Sequence, residues 1–344
     1  MSCLFIVGTR PEAIKLAPVI AALDRCGGKA QICTTGQHRD LLPPILQEYG
    51  LEADHHAGGD NDYPLAALQT VIRQAQPAAL VVQGDTRSAF LGAVAARLES
   101  VPLAHVEAGL RSGSALDPFP EEIFRIGIGR LADLHFAPTA AAREHLLTAG
   151  AAVGSVHVTG NPVYDAALSI LQVEPRIAVP TRSILMTVHR AENGGARLQQ
   201  IYAAASDLAR AGRRVIYIRH PRITDADISG LVGVPGLAVL PPQRHRDFLR
   251  LMTAADLVLT DSGGVHEEAA YLRRPSLILR DRTERPELLV PGFSELVGAE
   301  TARIVTRART LLGASSPLAE EPLRDGRAGE RIAAILAENF SICR

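Results

Sequence analysis

Ten short aliphatic runs, each closing on a polar or glycine-bearing turn and followed by a helix-patterned stretch, constrain this chain more than anything else in it. A strand that is apolar along its whole length is covered on both faces, and the usual cover is a parallel sheet with helices on either side. In the first half the runs are Cys3 to Val7, Ala30 to Cys33, Ala79 to Val82, Leu103 to Val106 and Leu134 to Phe136. In the second they are Ile184 to Val188, Val215 to Ile218, Leu237 to Leu240, Leu257 to Thr260 and Ser276 to Leu279. The pattern predicts an α/β chain built from two doubly wound, Rossmann-type domains. Length agrees, since 344 residues exceed the ~250 at which single cores usually stop growing. Between Leu168 and Pro180 the pattern thins into prolines that cannot continue a helix, which places the expected boundary there. The expected organisation is 1–170, 171–328 and a last helical stretch, 329–344, packing back toward the first domain.

Net formal charge is −1, from 36 Lys and Arg against 37 Asp and Glu, and the basic residues are scattered. That balance argues against nucleic acid or an anionic membrane as partner and in favour of a small molecule. Cys3, Cys26, Cys33 and Cys343 show neither a C-x-x-C spacing nor paired histidines nearby, so buried free thiols are expected, with no metal site and no disulfide framework. The opening apolar run is too short for a signal-peptide core and meets Arg10 at once, and no stretch reaches membrane-spanning length. The expected location is cytoplasmic.

Nearly every polar motif falls just after a strand, at the carboxyl edge where open parallel sheets bind ligands. Gly8-Thr9-Arg10-Pro11-Glu12-Ala13-Ile14-Lys15 is a glycine turn feeding a helix. Its free amides, dipole and two cations favour an anion, although a solvated surface loop would read the same way. Asp85, in Gln83 to Thr86, and Glu107, in His105 to Gly109, end neighbouring strands and should face one crevice, where repulsion would raise one pKa. Pro120 and Glu121 suit a helix start by themselves, so Glu121 and Glu122 also admit a plain capping role. Gly127-Ile128-Gly129-Arg130-Leu131-Ala132 matches G-x-G-x-x-A, yet it follows no strand. No nicotinamide cofactor is therefore expected, and the glycines are read as helix-packing residues. In the second half His189-Arg190 closes a strand with a cationic pair. Thr260-Asp261-Ser262-Gly263-Gly264 offers amides to a diphosphate, with Glu267 and Glu268 one turn on, placed to accept from ribose hydroxyls. Arg280 to Glu287, which includes Arg285, brings both charge signs to the same edge.

Taken in order, Gly8 to Lys15, Thr35-Gly36-Gln37-His38-Arg39, Gln83 to Thr86, His105 to Arg111, Pro120 to Arg125, Thr187 to Asn193, Asp261 to Glu268 and Thr283 to Glu287 resemble the non-hydrolysing UDP-N-acetylglucosamine 2-epimerases. The resemblance runs from Gly8 to about Arg331. It implies a glycosyltransferase-B-like fold, two Rossmann-type domains facing a cleft, with UDP held mainly by the second and the protein usually a homodimer. It assigns Ser262, Gly263 and Gly264 to the phosphates, Glu268 to the ribose, Phe248 to the uracil, and Arg10 and His189 to the surroundings of the diphosphate. Lys15 and Arg285 are further substrate contacts, and Asp85, Glu107 and Glu121 are the essential acids, with His189 counted beside them as catalytic. No cofactor and no metal is implied.

The reaction implied interconverts UDP-N-acetylglucosamine and UDP-N-acetylmannosamine. The C2 proton has no adjacent carbonyl and is barely acidic, so departure of UDP must come first. An oxocarbenium-like centre at C1 then lets a carboxylate take the proton, leaving 2-acetamidoglucal, and UDP returns while a proton is delivered to the opposite face.

Some positions leave the family pattern: Arg87 replaces a small hydroxyl residue, Phe124 an Asn, Asp40 and His266 a Gln, and His220-Pro221-Arg222 lacks the usual His-x-Asn-Pro continuation. Bacterial relatives bind a second substrate molecule as activator through the Gln37-His38-Arg39 loop and neighbours of Glu121 and His220, so activation is expected to be weak or absent. Three rival readings remain: a hydrolysing epimerase releasing UDP and N-acetylmannosamine, a glycosyltransferase for which the acids would be superfluous, and a catalytically silent UDP-sugar sensor.

Overall fold

The computed structural model describes residues 1–58, 65–112, 119–173, 183–283, 286–312 and 325–342. The chain divides into two compact units, Met1–Leu168 with Glu321–Arg344, and Ser169–Glu320. Each is a parallel sheet sandwiched by helices.

In the first unit the strands are β1 (Ser2–Val7), β2 (Lys29–Thr34), β3 (His55–His56), β4 (Ala79–Gln83), β5 (Leu103–Val106), β6 (Leu134–Ala137) and β7 (Val156–Val158), in the order β3-β2-β1-β4-β5-β6-β7. Phe5 on β1 lies opposite Ile32 on β2 and Val81 on β4, and His105 on β5 lies opposite Val82 and His135. β1, β4 and β5 are buried along their whole length, which is why they read as unbroken apolar runs. Leu4, Ile6, Leu80, Val82 and Leu103 pack with Ala93 and Ile128 from the covering helices into one core.

The second unit repeats the plan with β8 (Ser183–Thr187), β9 (Arg214–Ile218), β10 (Leu237–Leu240), β11 (Leu257–Thr260), β12 (Ser276–Ile278) and β13 (Ser294–Leu296), in the order β10-β9-β8-β11-β12-β13. All ten expected strands are present; β3, β7 and β13 are additional. In both sheets the order reverses once, between β1 and β4 and between β8 and β11. At such a switch point the two flanking loops diverge to opposite faces and leave room for a ligand beyond the strand ends.

The G-x-G-x-x-A match lies inside the Glu121–Leu131 helix, where a Cβ on Gly127 would come 2.8 Å from the Phe90 ring, so that glycine serves helix packing. The Ala328–Phe340 helix belongs to the first unit and packs on the Arg10–Arg25 helix. There a Cβ on Gly329 would sit 2.8 Å from the Pro18 backbone, and the Gly329 amide donates to Asp165 Oδ1 at 2.7 Å. Cys3 and Cys33 are buried free thiols, both pushed up to about 12 by burial. Cys26 corrects the expectation of free thiols throughout, because it is disulfide-bonded. Pairing depends on Cα separations in space, and spacing along the sequence carried no sign of it. Cys343 and the proline-rich segment 174–182 lie outside the described residues. Among those described, no helix is long and apolar enough to cross a membrane.

Candidate active site

Loops after β1, β4 and β5 and the start of the Glu121–Leu131 helix gather the first unit's polar motifs. Thr9 caps the Arg10–Arg25 helix in a capping box with Glu12, and Arg10 opens that helix. One turn and a half later Lys15 is buried, its Nζ 2.8 and 2.7 Å from the two carboxylate oxygens of Glu107. Gln83 Nε2 donates to Glu107 Oε2, and Asn161 Nδ2 to Oε1 at 3.4 Å. Glu107 adopts φ +63°, a left-handed backbone that non-glycine residues enter only at a cost of order 1 kcal/mol. Gly84, at φ +75°, stands where a Cβ would lie 3.7 Å from Glu107 Oε2.

Asp85 pairs with Arg125, which also pairs with Glu122. Arg125 is 3% exposed; burial works against its charge, but Asp85, Glu122 and Glu107 outweigh it and hold its pKa above the ordinary value. Asp85 and Glu107 thus pair with different cations, Glu107 with Lys15 and Asp85 with an Arg125 that it shares with Glu122. Glu122, read as a helix cap, is buried in this ion-pair chain, and Arg111 Nε approaches its other oxygen at 3.9 Å. Glu121 differs from all of these: its Oε2 is buried and has no hydrogen-bond partner among the described residues. A buried acceptor left so is costly unless something else occupies it.

Glu12 is fully buried and accepts from the amides of Gly8 and Thr9, at 2.7 and 2.6 Å, and from the hydroxyls of Thr9 and Thr86. Burial outweighs these four donors and lifts its carboxyl to about 7. His105, two residues before Glu107, donates from Nε2 to Gly84 O at 2.8 Å, and burial pushes its pKa down to about 3, so it is neutral.

In the second unit Asp261, at the end of β11, is fully buried and organises the loop after β8. It accepts from the amides of His189 and Arg190, at 3.1 and 2.9 Å, and from Asn193 Nδ2 at 3.0 Å. His189 Nδ1 lies 3.3 Å from Asp261 Oδ1, and its ring stacks on His220 with centroids 5.0 Å apart. Burial lowers the His189 pKa, while Asp261 pulls the other way. Ser262 caps the Gly263–Tyr271 helix by accepting from Val265 N, and a Cβ at Gly264 would meet nothing within 4 Å. The first amides of a helix lack partners within it, the arrangement that suits an anion.

Glu268 is buried and 2.7 Å from His245 Nε2. Phe248 is placed in the core with Leu185, Ile216, Ile218 and Met252, only 7% exposed. Arg285 lies outside the described residues. The structure thus pairs Lys15 with Glu107 and Asp85 with Arg125 in the first unit, where Arg10 and Glu121 open helices, and in the second it sets His189 beside Asp261 and Ser262, Gly263, Gly264 and Glu268 at or on the Gly263–Tyr271 helix. Sequence reasoning missed Arg125, Asp261 and Glu12 as organising groups, because their partners are distant in sequence. The one available signal was their position within motifs at strand ends.

Two parallel α/β units with ligand-type loops at both switch points define a glycosyltransferase-B-like protein. A family model described as UDP-N-acetylglucosamine 2-epimerase matches residues 21–337. The UDP-N-acetylglucosamine 2-epimerase of Escherichia coli K12 is 35% identical, with 98% of this chain and 99% of that one covered. The Methanocaldococcus jannaschii UDP-GlcNAc 2-epimerase, solved with UDP-GlcNAc and UDP, superposes with a TM-score of 0.87 at 32% identity, covering 98% of this chain and 100% of its own. The Neisseria meningitidis enzyme bound to UDP-GlcNAc gives 0.86 at 31% identity, covering 98% of this chain and 100% of its own. The chain belongs to the UDP-N-acetylglucosamine 2-epimerase family.

Proposed function

We propose that this protein interconverts UDP-N-acetylglucosamine and UDP-N-acetylmannosamine by eliminating and re-adding UDP through 2-acetamidoglucal. The observation that carries the reading is the acid cluster of the first unit. Asp85 and Glu107 are each held by a buried cation, and Glu121 has a buried oxygen without a hydrogen-bond partner. Three acids in one cluster are what proton removal from one face of C2 and delivery to the other require. A hydrolysing epimerase would need the same removal and delivery at C2, with water in place of UDP adding at C1, so the products distinguish the two reactions.

In this mechanism the amides of Gly263 and Gly264, with His189, take up the charge that develops on the departing diphosphate. Lys15 holds Glu107 in place, and Arg125 does the same for Asp85. Glu268 receives the ribose hydroxyls. The strained backbone at Glu107 fits a group whose direction matters more than its local stability. Product analysis after incubation with UDP-N-acetylglucosamine tests the proposal. Two interconverting UDP-sugars are expected; free N-acetylmannosamine with UDP would establish the hydrolysing reaction instead, and bound but unchanged substrate would establish a sensor.

A further inference from the structure

Most capping boxes end with the helix they cap. In the Asp225–Ile228 helix of this chain, Thr224 is boxed by Asp227, whose Oδ2 takes the Thr224 amide at 2.8 Å and its hydroxyl at 2.7 Å. An aspartate is therefore long enough to close a box here. The Arg10–Arg25 helix uses a glutamate at the same position, and only one of its oxygens is needed for capping: Oε2 takes the Gly8 and Thr9 amides and the Thr9 hydroxyl. Oε1 reaches across to the loop after β4 and accepts from the Thr86 hydroxyl. Thr86 follows Asp85 directly and caps the next helix through Ala89 N at 3.0 Å. On the other side of Asp85, the Gly84 amide donates to Val106 O at 3.0 Å, and Gly84 O accepts from His105. The turn that presents Asp85 is thus fastened to β5 by Gly84 and to the Gly8–Arg10 turn by Thr86.

We propose that Glu12 is a positioning residue for the reaction, locking the Asp85 turn to the turn that carries Arg10, separately from its work as a helix cap. This rests on the reading of Asp85 as a catalytic acid. The extra methylene of glutamate over aspartate is what the link uses, and displacement of a reacting group by about 1 Å can cost ~10²-fold in rate.

The test compares Glu12→Asp, Thr86→Val, Thr86→Ser and the double variant Glu12→Asp/Thr86→Val in steady-state kinetics with UDP-N-acetylglucosamine, with thermal melting alongside. Glu12→Asp keeps the box and loses the reach, so kcat should fall at least ~10-fold with KM changed less than about threefold. Thr86→Val should match it, Thr86→Ser should restore most of the rate, and the double variant should be no worse than the poorer single, because both break one link. A Glu12→Asp kcat within about twofold of wild type, or single losses that multiply in the double variant, overturns the proposal. Should Glu12→Asp fail to fold, the contrast of Thr86→Val with Thr86→Ser decides: equal rates overturn it. Wild-type protein and Asp85→Asn run in the same assay separate the two levels. A wild type without turnover sinks both readings, whereas an active wild type, an inactive Asp85→Asn and an unimpaired Glu12→Asp sink only the role of Glu12.

Discussion

Glu107 is the residue at which the most physical terms meet: a left-handed backbone, two hydrogen bonds from Lys15, and further donors in Gln83 and Asn161. Asp85→Asn, Glu107→Gln and Glu121→Gln should each lower turnover by at least ~10²-fold while UDP binding, measured by calorimetry, stays near wild type. Near-normal turnover in any one would remove that acid from the chemistry. Lys15→Met strips a buried carboxylate of its cation and should cost about 3 kcal/mol in denaturant unfolding; a change below about 0.5 kcal/mol would mean the pair contributes nothing to the fold. The buried neutral histidine gives a pH signature. Unfolded, His105 takes a proton near pH 6.5; folded, only near about 3. Between those values the unfolded state binds more protons, so the stability His105 contributes is complete above pH 6.5 and drains as pH falls. Glu12 and Asp165, raised by burial to about 7 and about 6, act in the opposite direction over the same range. The difference between wild type and His105→Gln isolates the effect, and the variant's relative stability should rise steadily from pH 7 to pH 4.

Among the elements, the loops at the switch points carry the chemistry and the helices set their spacing. Gly329 lets the Ala328–Phe340 helix approach the Arg10–Arg25 helix so closely that a Cβ would meet the Pro18 backbone, which cannot swing aside. Gly329→Ala should therefore lose about 1–3 kcal/mol, read as a drop in Tm, and an unchanged Tm would contradict the close approach. Phe124 stacks on Phe90 with ring centroids 5.1 Å apart, and Gln37 Oε1 is taken up by the Ser88 hydroxyl and amide at 2.6 and 3.1 Å. With those groups so engaged, initial rates should depend hyperbolically on substrate; a sigmoidal curve would reinstate an activating second molecule. The central strands were legible because burial on both faces writes them as apolar runs, whereas β2 and the edge strand β10, only partly covered, were legible from their aliphatic residues alone. β3, β7 and β13 were not, being two or three residues long, at sheet edges, and built of His-His, Val-His-Val and Ser-Glu-Leu. Acids at strand ends were equally legible. Their counter-ions were not: Lys15 meets Glu107 across 92 residues and Arg125 meets Asp85 across 40, and only the fold brings such pairs together. Glu122 reads as a cap and Glu12 as a residue without a role of its own, since a buried charge has no local signature.

At the scale of the molecule, two parallel sheets repeat one plan with different chemistry at the switch points. The first unit supplies anchored acids, and the second supplies helix amides, a neutral-leaning histidine and a buried aspartate that fixes its loop. Proton transfer and the holding of a leaving anion are the two demands of the proposed reaction. In the proposed reaction C2 loses its proton to solvent-exchangeable acids during every inversion. Wild-type protein should be incubated with UDP-N-acetylglucosamine in deuterated water and the recovered sugar nucleotides examined at C2 by proton NMR. The account predicts that newly formed UDP-N-acetylmannosamine carries deuterium at C2 from the first turnovers. Inverted product that keeps its original proton at that carbon would contradict it.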